Sequence, residues 1–178
     1  MSESYTIRRA EVQDREKLLK LLNVQFPGPD NPPMDFLAMT PYLFTDDRMD
    51  QHFVCDREGE LIGCIGVYPY DIQIGKTVFR TAGIGQVVTH TEARGLGIMN
   101  ATLKKVTDAL REGQFDFSWL FGDRQRYGRY GWACGGSRMK YEMCDKYLPA
   151  PENVDRLRPF DPAGDFDLVL NSLANMHT

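Results

Sequence analysis

An apolar strand that runs through an Arg-Gly-x-Gly turn straight into an amphipathic helix constrains this chain more than any other feature. The stretch is Val87-Val88-Thr89-His90-Thr91-Glu92-Ala93-Arg94-Gly95-Leu96-Gly97-Ile98. Beyond the turn, Met99, Leu103, Val106 and Leu110 recur at helical spacing, while Asn100, Lys104, Lys105, Asp108 and Arg111 occupy the other face. Gly113 is the natural stop. The first turn of such a helix presents unpaired N–H groups and the positive end of its dipole. Gly95 and Gly97 let a ligand approach the main chain, and Arg94 adds a full charge. The motif therefore fits a phosphate or pyrophosphate. Taken alone, it also fits a tight connection with no ligand.

A second motif, Arg126-Tyr127-Gly128-Arg129-Tyr130-Gly131-Trp132, follows a short apolar strand at 117 to 121. In this order and separation, the two motifs resemble the GNAT (Gcn5-related N-acetyltransferase) superfamily, and the second is most similar to the Eis-like acetyltransferases. The resemblance covers roughly residues 5 to 147. It implies an α/β fold of the α+β type, with a mixed, mostly antiparallel central sheet flanked by helices, and acetyl-CoA as the acetyl donor. On it, Arg94, Gly95, Leu96, Gly97 and Ile98 match the loop that binds the cofactor diphosphate. Gly85 and Val87 match strand positions along the pantetheine, and Tyr127 matches the general acid. Glu92 departs from the pattern, since that position is usually Gln or Arg. A carboxylate beside a diphosphate is unfavourable, which predicts that Glu92 faces solvent and that cofactor affinity is modest.

Elsewhere, residues 5 to 9 alternate like a strand. Asp14 is placed to cap a helix with an apolar stripe of Leu18, Leu19, Leu22 and Phe26. Five prolines between residues 27 and 41 predict a loop with short helical pieces; in the superfamily this region borders the acceptor cleft. Runs at 52 to 56 and 61 to 67 flank a hairpin turn, as do runs at 72 to 74 and 78 to 88. The second turn holds Gly75-Lys76-Thr77, the end of a nucleotide-binding loop pattern. Tyr70 stands where that pattern needs another glycine, and strands flank it on both sides, so a hairpin is the reading. A short helix around 125 to 130 and a strand through Met139, Tyr141 and Met143 complete a domain spanning 1 to 147. Residues 148 to 178 read as a proline-broken linker and the start of a helix that stops, as in a piece of a longer protein.

A net charge of −4 and a sequence pI near 5.4 argue against broad binding to nucleic acid or anionic membranes. No leader or membrane-length apolar run is visible, so a cytoplasmic location is the default. Cys55, Cys64, Cys134 and Cys144 lack metal-ligand spacing, as do His52, His90 and His177, and no metal is expected. Cys55 and Cys64 read as core, whereas Cys134 follows the tyrosine motif closely enough to reach an acyl pocket.

Acetyl transfer to an amine needs a proton removed from the ammonium and another given to the departing thiolate. A phenol with a reference pKa of about 10 is an adequate donor and a poor base, so Tyr127 takes the acid role. Residues 80 to 88 hold no Asp or Glu, leaving Asp123 as the candidate base, with a helix N-cap as its alternative. Two readings follow. One is an N-acetyltransferase acting on a small-molecule or peptide primary amine; the other is a noncatalytic acyl-CoA-binding domain regulating a larger protein. The acceptor and any homo-oligomerisation are left open.

Overall fold

The computed structural model describes residues 4 to 28, 30 to 135 and 158 to 175. They fall into two compact units, Met1–Gly135 and Gly136–Thr178. The strand expected through Met139, Tyr141 and Met143, together with Cys144 and His177, lies outside the described residues.

The first unit is a five-stranded sheet in the order β1 (Thr6–Arg9), β2 (His52–Arg57), β3 (Glu60–Ile74), β4 (Thr77–Thr89), β5 (Phe117–Leu120). Neighbours are antiparallel except β4 and β5, which run parallel. The mixed, mostly antiparallel sheet is thus the one expected from the sequence. Both predicted hairpins form. Glu58 and Gly59 take φ of 55° and 85°, the paired positive values of a two-residue turn that suits strand twist, and Asp56 Oδ1 accepts the Gly59 N–H at 2.8 Å. Gly75 turns the second hairpin at φ 61°, so Gly75-Lys76-Thr77 joins two strands. One strand runs unbroken from 60 to 74, longer than the two separate runs read from the sequence.

Alternate strand residues feed cores on both faces of the sheet. Val54, Cys64 and Val88 join Leu18, Leu21 and Leu22 of α1 (Arg15–Gln25) on one face. Phe53, Ile65 and Ile84 join Leu103 and Val106 of α3 (Ile98–Glu112) on the other. Burial on both faces is why β2 and β3 read as continuous apolar runs. The loop after α1 carries α2 (Phe36–Met39), as the proline-rich stretch predicts. The α1 stripe differs from expectation: Leu21 is buried, Leu19 only partly, and Phe26 stays 45% exposed against the edge of Phe36. Phe26 follows the last helical residue, where the helix face no longer meets the sheet. In the second unit, α5 (Pro162–Asn175) starts beside an Arg158–Asp165 ion pair at 2.5 Å.

Asp14 does not cap α1 with its side chain. Its carboxylate takes the Arg8 guanidinium through both oxygens, at 2.5 and 2.9 Å, and the Glu11 N–H at 2.8 Å. Arg8 also reaches Asp56 at 2.8 Å, clamping β1 to β2 and to the entry of α1. The Arg8 hydrogen bond holds Asp14 below the usual carboxylate range. A depressed carboxyl contributes stability above its unfolded pKa and loses it as pH falls through the folded value. Asp14→Asn is accordingly expected to lower stability by about 2 kcal/mol near neutral pH. Urea unfolding at descending pH should show the gap between parent and variant closing in acid.

Candidate functional site

The parallel pairing of β4 and β5 runs from Thr81↔Phe117 to Ile84↔Leu120 and then ends. At that point β4 is also disrupted on its other edge. Val88 pairs with Cys64 and Gly85 with Gly66, so Gln86 and Val87 together face only Ile65. The extra residue makes a β-bulge, and Gln86 takes a φ of 51°, rare for a residue with a side chain. A bulge bends its strand and raises the local twist, which fits the separation of β4 from the chain after β5. Between them lies a cavity of about 940 Å³, lined by residues 84 to 89 of β4 and by residues 120 to 123, from the last residue of β5 onward. Among the described strands, the main chain of residues 85 to 88 has no β5 partner on this side.

The Arg-Gly-x-Gly turn closes one end. Gly95 and Gly97 adopt φ of 83° and 76°, values that require glycine, and a Cβ on either would meet nothing within 4 Å. Gly97 is the N-cap of α3 and has no side chain to cap it. The N–H groups of residues 98 to 100 are therefore left for an outside acceptor. Arg94, Gly95, Gly97 and Ile98 line the cavity; Leu96, 47% exposed, does not. Glu92 is exposed and outside the lining.

Tyr127 ends α4 (Arg124–Tyr127), is 6% exposed and lines the same cavity. Its ring lies against Gly122, where a Cβ would stand 2.4 Å from Cε2, and meets the edge of Trp132 at 6.3 Å. Asp123 lines the cavity too, but its Oδ1 accepts the Gln125 N–H at 2.9 Å and so caps the helix that carries Tyr127. The capping contact and a place in the cavity lining therefore coexist at Asp123. Gly85 and Val87, the strand positions expected along the pantetheine, line the cavity.

Several residues at the site carried no sequence signal. Asn100, in the first turn of α3, accepts hydrogen bonds from Arg129 at 2.7 Å and Tyr130 at 2.6 Å, tying the two motifs together. Gln25, at the end of α1, accepts from the Thr91 main chain at 3.1 Å and its hydroxyl at 2.8 Å, bracing the entry to the Arg-Gly-x-Gly turn. Gln86 is the third, since a bulge depends on strand register. Cys134 is exposed and is not among the residues lining the cavity. Cys55 and Cys64 are buried, and burial pushes the Cys55 thiol up to about 11 and that of Cys64 further. Such thiols are core, not nucleophiles. Among the described residues, no cluster of His, Cys, Asp or Glu could hold a metal ion, and no helix is long and apolar enough to cross a membrane.

Residues 6–135 match the family model described as "Acetyltransferase (GNAT) domain". No curated protein matches the chain. Among solved structures, a GNAT family acetyltransferase from Brucella melitensis in complex with acetyl-CoA is similar at 21% identity and a TM-score of 0.63, covering 74% of this chain and 84% of that one. A predicted acetyltransferase from Clostridium acetobutylicum, solved with acetyl-CoA, is similar at 16% identity and a TM-score of 0.64, covering 78% and 96%. A conserved protein from Enterococcus faecalis is similar at 18% identity and a TM-score of 0.59 over 72% of this chain, which spans only 32% of that protein's length.

Proposed function

The chain belongs to the acetyltransferase (GNAT) domain family, and from that premise we propose that it transfers an acetyl group from acetyl-CoA to a primary amine by direct attack. The observation that carries this reading is one cavity lined at once by the glycine-rich helix start, the β4 residues that lie past its pairing with β5, and Tyr127. The diphosphate would rest on the N–H groups of residues 95 to 98 beside Arg94, where helix dipole and positive charge both favour an anion. The pantetheine would run along the main chain of residues 85 to 87, which can pair with its amides as a strand would. That track leads the thioester toward Tyr127. The two acetyl-CoA complexes among the similar structures support the choice of donor.

In the proposed reaction the amine nitrogen attacks the thioester carbonyl, the C–N bond forms, the C–S bond breaks, and the Tyr127 phenol protonates the departing thiolate. The acceptor is a small molecule or a peptide N-terminus. Thiol release from acetyl-CoA across spermidine, an aminoglycoside and a short peptide tests the reading. Acceptor-dependent release supports it; acetyl-CoA binding with no release by any amine would leave a noncatalytic acyl-CoA-binding domain. Membership of an acetyltransferase family and the placement of Tyr127 in the cavity favour transfer.

Arg94→Ala is expected to weaken acetyl-CoA binding about tenfold at low salt, the loss of one exposed charge-assisted contact. Calorimetry at rising salt should show the gap between parent and variant shrinking, because screening removes the same term.

A further inference from the structure

Residues 80 to 88 of β4 offer no carboxylate, and Asp123 is engaged at a helix end, yet an ammonium acceptor must lose a proton before it attacks. A different proton acceptor stands beside the bulge. His52, first residue of β2, is fully buried, and its Nδ1 lies 3.2 Å from the Met49 carbonyl oxygen. A carbonyl can only accept, so Nδ1 carries the hydrogen and Nε2 the lone pair.

Cross-strand register places His52, Gly66 and Gly85 in one row across β2, β3 and β4. The two glycines leave room that the Tyr68 ring fills: a Cβ at Gly66 would stand 2.0 Å from Tyr68 Oη, and one at Gly85 3.3 Å from Cε2. The rings of His52 and Tyr68 meet edge-on with centroids 5.6 Å apart. Gln86 follows Gly85, lies beside His52, is 8% exposed and lines the cavity. Among the described residues, Tyr68 Oη is buried without a hydrogen-bond partner, and His52 Nε2 and Gln86 Oε1, though near enough for Gln86 to act on the His52 charge, are buried without a hydrogen bond of ordinary geometry. Native interiors leave few such atoms, and a cluster of them marks a place for a polar guest. Their chemistry complements one water. Its two hydrogens suit Nε2 and Oε1, its oxygen suits the phenol O–H, and one lone pair remains for an incoming N–H.

We propose that His52 is the proton acceptor of the transfer reaction, drawing the ammonium proton through a water held by Tyr68 and Gln86. The proposal rests on the acetyl-transfer reading. The proton passes from R–NH3+ to the water as the water gives one to Nε2, leaving R–NH2 and an imidazolium. After attack, Tyr127 protonates the departing thiolate, the second N–H proton of the nitrogen restores the Tyr127 phenol, and the imidazolium proton leaves to solvent. The products are the amide, CoA thiol and one proton. Burial lowers the His52 pKa, outweighing the Met49 carbonyl, the Gln86 side chain, the Arg48 main chain and the Asp50 charge, so the accepting form is present at neutral pH. Burial, with Cys64 and Tyr42 nearby, pushes Tyr68 well up and keeps it a donor, and the Cys64 thiol is likewise pushed up and uncharged.

The test is the pH dependence of kcat for thiol release with spermidine, kanamycin and a short peptide, for the parent, His52→Gln and Tyr68→Phe. The parent should show an acidic limb below the ordinary histidine value of about 6.5. His52→Gln should lose that limb and about a hundredfold in kcat, with calorimetric acetyl-CoA affinity unchanged. Tyr68→Phe, which keeps the ring and removes the hydroxyl, should shift the limb and lower kcat about tenfold. An active parent with His52→Gln within about threefold and the limb intact overturns the relay alone. If His52→Gln does not fold, a parent profile flat from about pH 5 to 8 overturns it equally. A parent that releases no thiol with any amine overturns the transfer reading and the relay together.

Discussion

Tyr127→Phe is expected to lower turnover about a hundredfold, or roughly 2.7 kcal/mol of transition-state stabilisation, while acetyl-CoA binds as tightly as to the parent. The division follows from where the ring sits. Its body packs between Gly122 and Trp132, and phenylalanine keeps both contacts, so the fold and the cavity wall survive. Only the hydroxyl is lost, and on the proposed mechanism it acts when the thiolate departs. Steady-state kcat together with calorimetric Kd separates the two quantities. A variant with parental kcat removes Tyr127 from the acid role and leaves it a packing residue.

The paired change Gly95→Ala with Gly97→Ala is expected to weaken acetyl-CoA binding by about 30- to 100-fold. Both residues hold positive φ, where a Cβ costs about 1 to 2 kcal/mol each. Since a Cβ there meets no protein atom within 4 Å, the methyl groups fall in the space the ligand would use. Either the turn relaxes and its N–H groups lose their aim, or it holds and the methyl groups crowd the diphosphate. Calorimetric titration reads the loss, and an unchanged Kd would mean that the turn is only a strand-to-helix connection.

What was legible in the sequence is what short-range chemistry dictates. The Arg-Gly-x-Gly turn shows itself because glycine is needed for its backbone, and the hairpins at 58 to 59 and 75 to 76 because their turn residues are local. The α3 face is legible from helical spacing. Legibility ends where register and tertiary packing decide. The bulge at Gln86 depends on how β4 slides against β3, and no residue type announces it. His52 reads as one scattered histidine until Gly66 and Gly85 align beside it. Asn100 reads as a polar residue on an exposed helix face, yet it joins α3 to Arg129 and Tyr130. Asp14 stands at a helix start, as its sequence position implies, but its carboxylate serves Arg8, because a guanidinium with two carboxylates in reach competes better than one orphan N–H.

The most direct measurement is a crystal structure of the protein soaked with acetyl-CoA. The account predicts the diphosphate on the N–H groups of residues 95 to 98 beside Arg94, the pantetheine along residues 85 to 87, and the sulfur within hydrogen-bonding distance of the Tyr127 hydroxyl. A cofactor bound elsewhere, or in the cavity with its sulfur out of Tyr127's reach, would contradict it.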